Sequence, residues 1–168
     1  MRAIGISIGI LLAAVVVLLL AACGGSSSTS AEKDALQHQA DINAIDQIEK
    51  TWHKAGSTQD VDLMMTVWAP DATFTVGGEP YVGKAQIRGF FEKAGPFQPG
   101  NHWVSDTPAY KIRITANGDK GTLYFECDYI DTATGKVANI VAADQDVQKI
   151  DGKWLITTSS AAPATLGR

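Results

Sequence analysis

The apolar residues of this chain change period once, and the change divides it into a helical part and a sheet part. Before His102 they recur at steps of three and four: Leu36, Ile42, Ile45, Ile48 and Trp52, with Glu49 in the same series. After His102 the period is two, as Tyr110, Ile112 and Ile114 alternate with Lys111, Arg113 and Thr115. The spacing predicts a first helix that Gly56 stops and a second one capped by Asp60. That second helix would carry Val61, Met64, Met65 and Trp68 on one side and end at Pro70-Asp71. Ala72 to Val76 reads as a short strand turned by Gly77-Gly78-Glu79-Pro80, and Lys84 to Lys93 as a third helix packing Ile87, Phe90 and Phe91. Asn117-Gly118 marks a hairpin, and strands follow over Gly121–Ile130, Val137–Ile150 and Trp154 to about Ser160. Three N-terminal helices and then sequential antiparallel strands predict an α+β domain with helices on one face of the sheet.

The first residues belong to a different problem. Arg2 precedes an uncharged, mostly apolar run from Ile4 to Leu20, and Leu20-Ala21-Ala22-Cys23 runs into Gly24-Gly25-Ser26-Ser27-Ser28. A positive start, an apolar stretch and small residues at a cleavage site make a secretory signal of residues 1–22. The cysteine at that site resembles a bacterial lipobox, which would make Cys23 the lipid-carrying first residue of the mature protein. Residues 23–33 then read as lipidated cysteine plus flexible tether, and 34–168 as the domain. The expected location is the bacterial cell envelope, with acylated Cys23 in the outer side of the cytoplasmic membrane or in the outer membrane. An uncleaved membrane-spanning helix is the alternative, but its flank lacks the Lys and Arg of a stop-transfer segment.

Lys and Arg number 14 against 18 Asp and Glu, for a net charge of -4, with no basic cluster. That argues against nucleic acid and against electrostatic binding to anionic lipid. With Cys23 assigned to lipid, Cys127 has no disulfide partner; its step with Leu123, Phe125 and Tyr129 predicts a buried thiol acting as a small hydrophobe. His38, His53 and His102 are scattered without carboxylate spacing, so no metal site is expected. No glycine-rich phosphate loop, nucleophile elbow or Cys-x-x-Cys occurs, and no cofactor is expected.

Five pieces in order carry a resemblance: Trp52-His53-Lys54-Ala55, Asp60-Val61-Asp62, Trp68 to Phe74, Gly83 to Phe91, and the late pair Ile114–Asp119 and Val147–Ile156. Over roughly residues 40–162 the chain resembles the nuclear transport factor 2-like (cystatin-like) superfamily, the SnoaL-like branch in particular. The resemblance implies a cone, in which a curved, mainly antiparallel sheet wraps the first helix and leaves a pocket at its open end. It also implies homodimers through the outer face of the sheet, here with Lys111, Arg113, Tyr124, Glu126 and Asp128. Ketosteroid isomerase-like members place a Tyr on the first helix and an Asp near the end of the first strand. Those places fall near Trp52 and Val76, so only a third group, Asp146, has a counterpart.

Asp144 and Asp146 are the sharpest candidates for chemistry, since Asp is disfavoured in strands. They share one strand face with Gln148 and Ile150, opposite Val141, Ala143 and Val147. Facing inward, they would be a pocket acid/base pair for a polyketide cyclase-like lyase or isomerase; facing outward, they are solvated charges. Trp52, His53, Trp68, Tyr81 and Trp103 are the candidates for lining a pocket that takes a small apolar ligand. Ligand binder, acid/base enzyme and partner-binding subunit all stay open at this point.

Overall fold

The computed structural model describes residues 29–105 and 109–164; the signal run, Cys23 and the start of the tether lie outside the described residues. A long helix α1, Ser30–Thr58, leads into a short helix α2, Val61–Met65, strand β1, Trp68–Val76, and strand β2, Glu79–Val82. Helix α3, Gly83–Phe91, and a single tight turn at Gly95–Phe97 follow. The sheet continues with β3, Trp103–Ser105; β4, Lys111–Asn117; β5, Lys120–Asp131; β6, Lys136–Ile150; and β7, Lys153–Pro163. The strand order is β2-β1-β7-β6-β5-β3, with β4 pairing the first half of β5 and β3 its last three residues. Only β1 and β7 run parallel; the other pairs are antiparallel. This is the expected α+β architecture.

Helix α1 starts earlier than the sequence suggests, inside the segment expected to be tether. The Thr29 side chain accepts from the Glu32 backbone, and Glu32 reaches back to the Thr29 N–H, so the capping box fixes the start. Residues 30–40 are all exposed, including Leu36 at 68 %, which the helical period had assigned to the core. The first buried residue is Asp41. It accepts from the Trp154 indole at 3.0 Å and lies 2.6 Å from Lys149 Nζ, so it ties α1 to the β6–β7 hairpin. Those bonds hold its carboxyl below the usual carboxylate range, Lys149 contributing most.

From Ile45 onward α1 lies in the trough of the sheet. Ile45, Ile48, Trp52 and Ala55 pack against Leu123, Phe125, Cys127 and Tyr129 of β5, with Met64, Ile87 and Phe91 closing the other side. Two glycines permit the close approach. A Cβ on Gly121 would sit 2.4 Å from the Thr115 carbonyl and 3.0 Å from Ile45, and one on Gly56 would meet the Tyr129 hydroxyl at 3.3 Å. Gly56 therefore stays inside the helix instead of stopping it, and Gln59 takes the left-handed cap at φ 58°.

Asp60 caps α2 as expected, accepting from Leu63 N–H at 2.8 Å. The helix is shorter than the pattern suggested, because Trp68 and Pro70-Asp71 belong to β1. The β1–β7 register advances five residues from Trp68 to Thr73 while β7 advances two, from Ile156 to Thr158. Pro70, with no N–H to give, sits in that irregular stretch.

Candidate functional site

The cone is open at the end where α1 finishes. The turns on either side of Gly118 and Gly152 lie at the opposite end, with Asp41 and Trp154. At the open end a cavity of about 380 Å³ is walled by Trp52 of α1, Phe74 and Val76 of β1, Phe90 and Phe91 of α3, and Trp103 of β3. The Ala94–Phe97 turn, Tyr129 of β5, Asn139 and Val141 of β6, and Ala161–Pro163 of β7 complete it. The volume corresponds to about a dozen water molecules at roughly 30 Å³ each. Trp52 is the hub of its wall: its ring lies 5.4 to 6.0 Å from those of Phe91, Trp68, Phe125 and Phe74. Such tilted and edge-on pairs contribute about 0.5–1.5 kcal/mol each beyond area burial, so this wall is stiff.

No lining side chain carries a charge at neutral pH. Burial pushes the Tyr129 phenol upward, with the Trp52 side chain as its hydrogen-bonding neighbour, so it stays protonated against α1. Besides the indole N–H groups of Trp52 and Trp103, the hydrogen-bonding side chain of the wall is Asn139, paired across from Tyr129 in the β5–β6 register. Its Oδ1 accepts from Ile140 N–H at 2.9 Å.

Of the residues singled out by sequence, Trp52 and Trp103 line this cavity. Trp68 does not: it is buried one layer behind, 5.7 Å from Trp52. Tyr81 stacks on the far side of Phe90 at 4.9 Å and borders a separate surface depression. His53 is 0 % exposed and turned away from the cavity towards Phe125. Its Nδ1 lies 2.6 Å from Glu49 Oε1, one helical turn earlier, and that oxygen also accepts from Ala109 N–H at 3.0 Å. This buried pair fastens the chain at Ala109 to α1.

The β6 strand resolves the parity of the two aspartates. Ala143, Gln145 and Val147 are buried on the inner face, while Asp144 and Asp146 are exposed on the outer one. Asp144 and Asp146 are therefore not a pocket acid/base pair, and the polar inner residue is Gln145, 3.4 Å from Ser159. The physical reason is period two: a strand that buries Ala143 and Val147 must turn the residues between them, save Gln145, to solvent.

On the same outer face Glu126 accepts from Tyr110, Tyr124 and Lys111. These bonds, Lys111 first, lower its carboxyl to about 2, while the Tyr110 phenol is pushed up to about 12 by the same carboxylate. Arg113 stacks on the Tyr124 ring at 4.0 Å. Cys127 is buried as expected, and desolvation pushes its thiol up to about 12, which favours the neutral thiol at neutral pH. Among the described residues no group of three His, Cys, Asp or Glu could hold a metal ion, and no helix is long and apolar enough to cross a membrane.

The lining residues that sequence reasoning missed are chiefly Phe97, Tyr129, Asn139, Val141 and the Ala161–Pro163 strand end. Parity offered a signal for some of them, since Tyr129 is in step with Phe125, and Val141 with Ala143.

This arrangement of helices and sheet recurs in solved structures. An NTF2-like protein with a cystatin-like fold from Novosphingobium aromaticivorans superposes with a TM-score of 0.69 at 12 % identity, covering 84 % of this chain and 94 % of that one. A cystatin-like fold protein of unknown function from Nostoc punctiforme PCC 73102 gives 0.62 at 16 % identity, over 82 % and 95 %. An NTF2-like protein of unknown function from Pseudomonas putida KT2440 gives 0.65 at 15 %, over 76 % and 90 %. At these identities the likeness establishes the cystatin-like, NTF2-like fold alone. No curated protein matches the sequence. The SnoaL-like domain matches residues 50–155, from the turn of α1 before Trp52 to the start of the last strand, and so takes in most of the cone. With the family's sequence pattern and its fold both present, the chain belongs to the SnoaL-like domain family.

Proposed function

We propose that this protein is an envelope-anchored binder of a small, neutral, apolar molecule. The observation that carries the reading is the cavity: about 380 Å³, walled by seven aromatic side chains from six segments and free of any side chain charged at neutral pH. Ligand sites of this size are lined by apolar and aromatic groups with a few polar ones to orient the guest. A charged guest would lose its hydration with nothing to replace it, which costs several kcal/mol or more. The acid/base lyase or isomerase reading lacks its groups, because Asp144 and Asp146 face solvent and His53 is sealed from the cavity.

The lipid anchor at Cys23 is part of the same proposal, and rests on the Leu20-Ala21-Ala22-Cys23 sequence. Its consequence is geometric. The exposed stretch 30–40 is a polar helical arm about 16 Å long, and Trp52 lies about 33 Å along α1 from Ser30 at ~1.5 Å per residue. The cavity thus opens at the end of the domain away from the anchor, towards the aqueous compartment. Native mass spectrometry of the protein purified from bacterial membranes tests both parts: a retained small molecule and a diacyl mass on the N-terminal cysteine are expected. A ligand-free protein that also fails to take up a neutral apolar dye would refute the binder, and an unmodified Cys23 would refute the anchor.

A second reading, self-association through the sheet, is favoured by one row of side chains. Arg113, Tyr124, Asp144 and Ser160 lie in register across β4, β5, β6 and β7. Turned about a two-fold axis near Tyr124, this row brings Arg113 of one copy to Asp144 of the other. Sedimentation of the wild type and of Arg113→Glu tests it, with a dimer expected for the first and a monomer for the second; a monomeric wild type would refute it.

A further inference from the structure

We infer that the guest of the cavity carries a hydrogen-bond acceptor, a carbonyl or ether oxygen on an otherwise apolar skeleton, and that Asn139 reads it. The inference rests on the proposed binding role of the cavity and goes on to name the chemistry of its ligand. Among the lining side chains, aromatic and aliphatic carbon makes up almost all of the wall, and Asn139 contributes the one amide. An amide has one acceptor oxygen and two N–H donors. The oxygen is engaged, because Ile140 N–H donates to Oδ1 at 2.9 Å, and that bond fixes which end of the amide is which. Nδ2 makes no hydrogen bond among the described residues. Asn139 is half-buried on the inner face of β6, opposite Tyr129, so its NH2 group is offered to the cavity.

The Tyr129 hydroxyl and the Gln145–Ser159 pair do not compete with it. The Tyr129 hydroxyl is held against α1, where a Cβ on Gly56 would lie 3.3 Å from it. It stays protonated, so it is no anionic partner for a donor on the guest. The Gln145–Ser159 pair on the same sheet face is buried outside the cavity wall. A guest with a donor and no acceptor would leave both itself and the Asn139 NH2 unsatisfied once water is expelled, the costlier way to bury polar groups. A guest with an acceptor at that end satisfies Nδ2 and leaves the rings to the aromatic wall. The strand position also gives the amide a fixed direction, since Asn139 lies in the β5–β6 ladder and its side chain is tied back to Ile140.

The test compares two rigid neutral probes of nearly equal shape, fluorenone and fluorene, by quenching of the intrinsic tryptophan fluorescence to which Trp52 and Trp103 contribute. Wild type, Asn139→Leu and Asn139→Ala are titrated, and the ratio of the two affinities is read for each. One net hydrogen bond corresponds to roughly a two- to tenfold preference. The fluorenone-over-fluorene ratio is expected to fall by that factor in both variants, with the thermal midpoint of Asn139→Leu near that of wild type. A ratio that is the same in wild type and in both variants overturns the assignment of Asn139. If neither probe binds any of the three proteins, the binding role itself fails, and the ligand assignment falls with it.

Discussion

Ala143 and Ala161 form a cross-strand pair on the inner face of the sheet, yet only Ala161 borders the cavity. Replacing each in turn by Phe asks whether the space beside Ala161 is real. Ala143 is fully buried against the β5 core, so a phenyl ring there must displace packed neighbours. Overpacking of this kind costs about 1–3 kcal/mol, and at about 3–5 °C for each kcal/mol the melting midpoint should drop by about 3–15 °C. Beside Ala161 the ring enters open volume, where burying it is worth up to about 1.5–3 kcal/mol, less the entropy of fixing the ring. Ala161→Phe should therefore melt at or above the wild-type midpoint while binding a neutral apolar dye at least tenfold more weakly, about 1.4 kcal/mol. Circular dichroism melts and a fluorescence titration read the two effects. Equal destabilisation by both substitutions, or dye binding unchanged in Ala161→Phe, would refute the cavity.

Three further outcomes follow from the burial and charge of named groups. The Cys127 thiol, ordinarily near 9.0, is raised to about 12 by burial, so it stabilises the fold fully below pH 9 and ever less as pH rises towards 12; Cys127→Ala should flatten that alkaline decline in pH-dependent melts. Glu126 titrates in the opposite sense: ordinarily near 4.5 and lowered to about 2, it stabilises the fold above pH 4.5, and that contribution is lost as pH falls towards 2. Glu126→Gln should remove this part of the acid dependence, again read by melts across pH. Asp144→Asn and Asp146→Asn should change stability by less than about 0.5 kcal/mol and leave dye binding intact; a tenfold loss of binding in either would return that carboxylate to the site.

The sequence was most legible where period and burial agree. The steps Ile45, Ile48 and Trp52 and the alternation Leu123, Phe125, Cys127 and Tyr129 named the two facing surfaces of the core. It was least legible where one element borrows its support from another. Leu36 keeps the helical step but extends past the end of the sheet, so nothing is there to cover it. Trp68 continues the apolar side of α2, yet Val67 accepts from Ile156 N–H at 2.8 Å, and pairing with β7 draws the chain into a strand. The aspartates of β6 attracted a functional reading because Asp is rare in strands, while the residue between them, Gln145, was the one turned inward. The cavity itself is assembled from eight segments, and only two of the five aromatic or histidine candidates, Trp52 and Trp103, reach it. Local sequence can mark a side chain as apolar; whether it faces core or cavity is decided by the strand ends and by the α3–β3 connection packed opposite.

The central claim, that the cavity takes neutral apolar molecules, is tested most directly by calorimetric titration with two guests of the same shape and different charge. Naphthalene-2-carboxamide and naphthalene-2-carboxylate form such a pair at pH 7.5. With no cationic side chain on the wall to compensate a buried carboxylate, the amide should bind at least about a hundredfold more tightly. Equal affinities, or a preference for the carboxylate, would contradict the account.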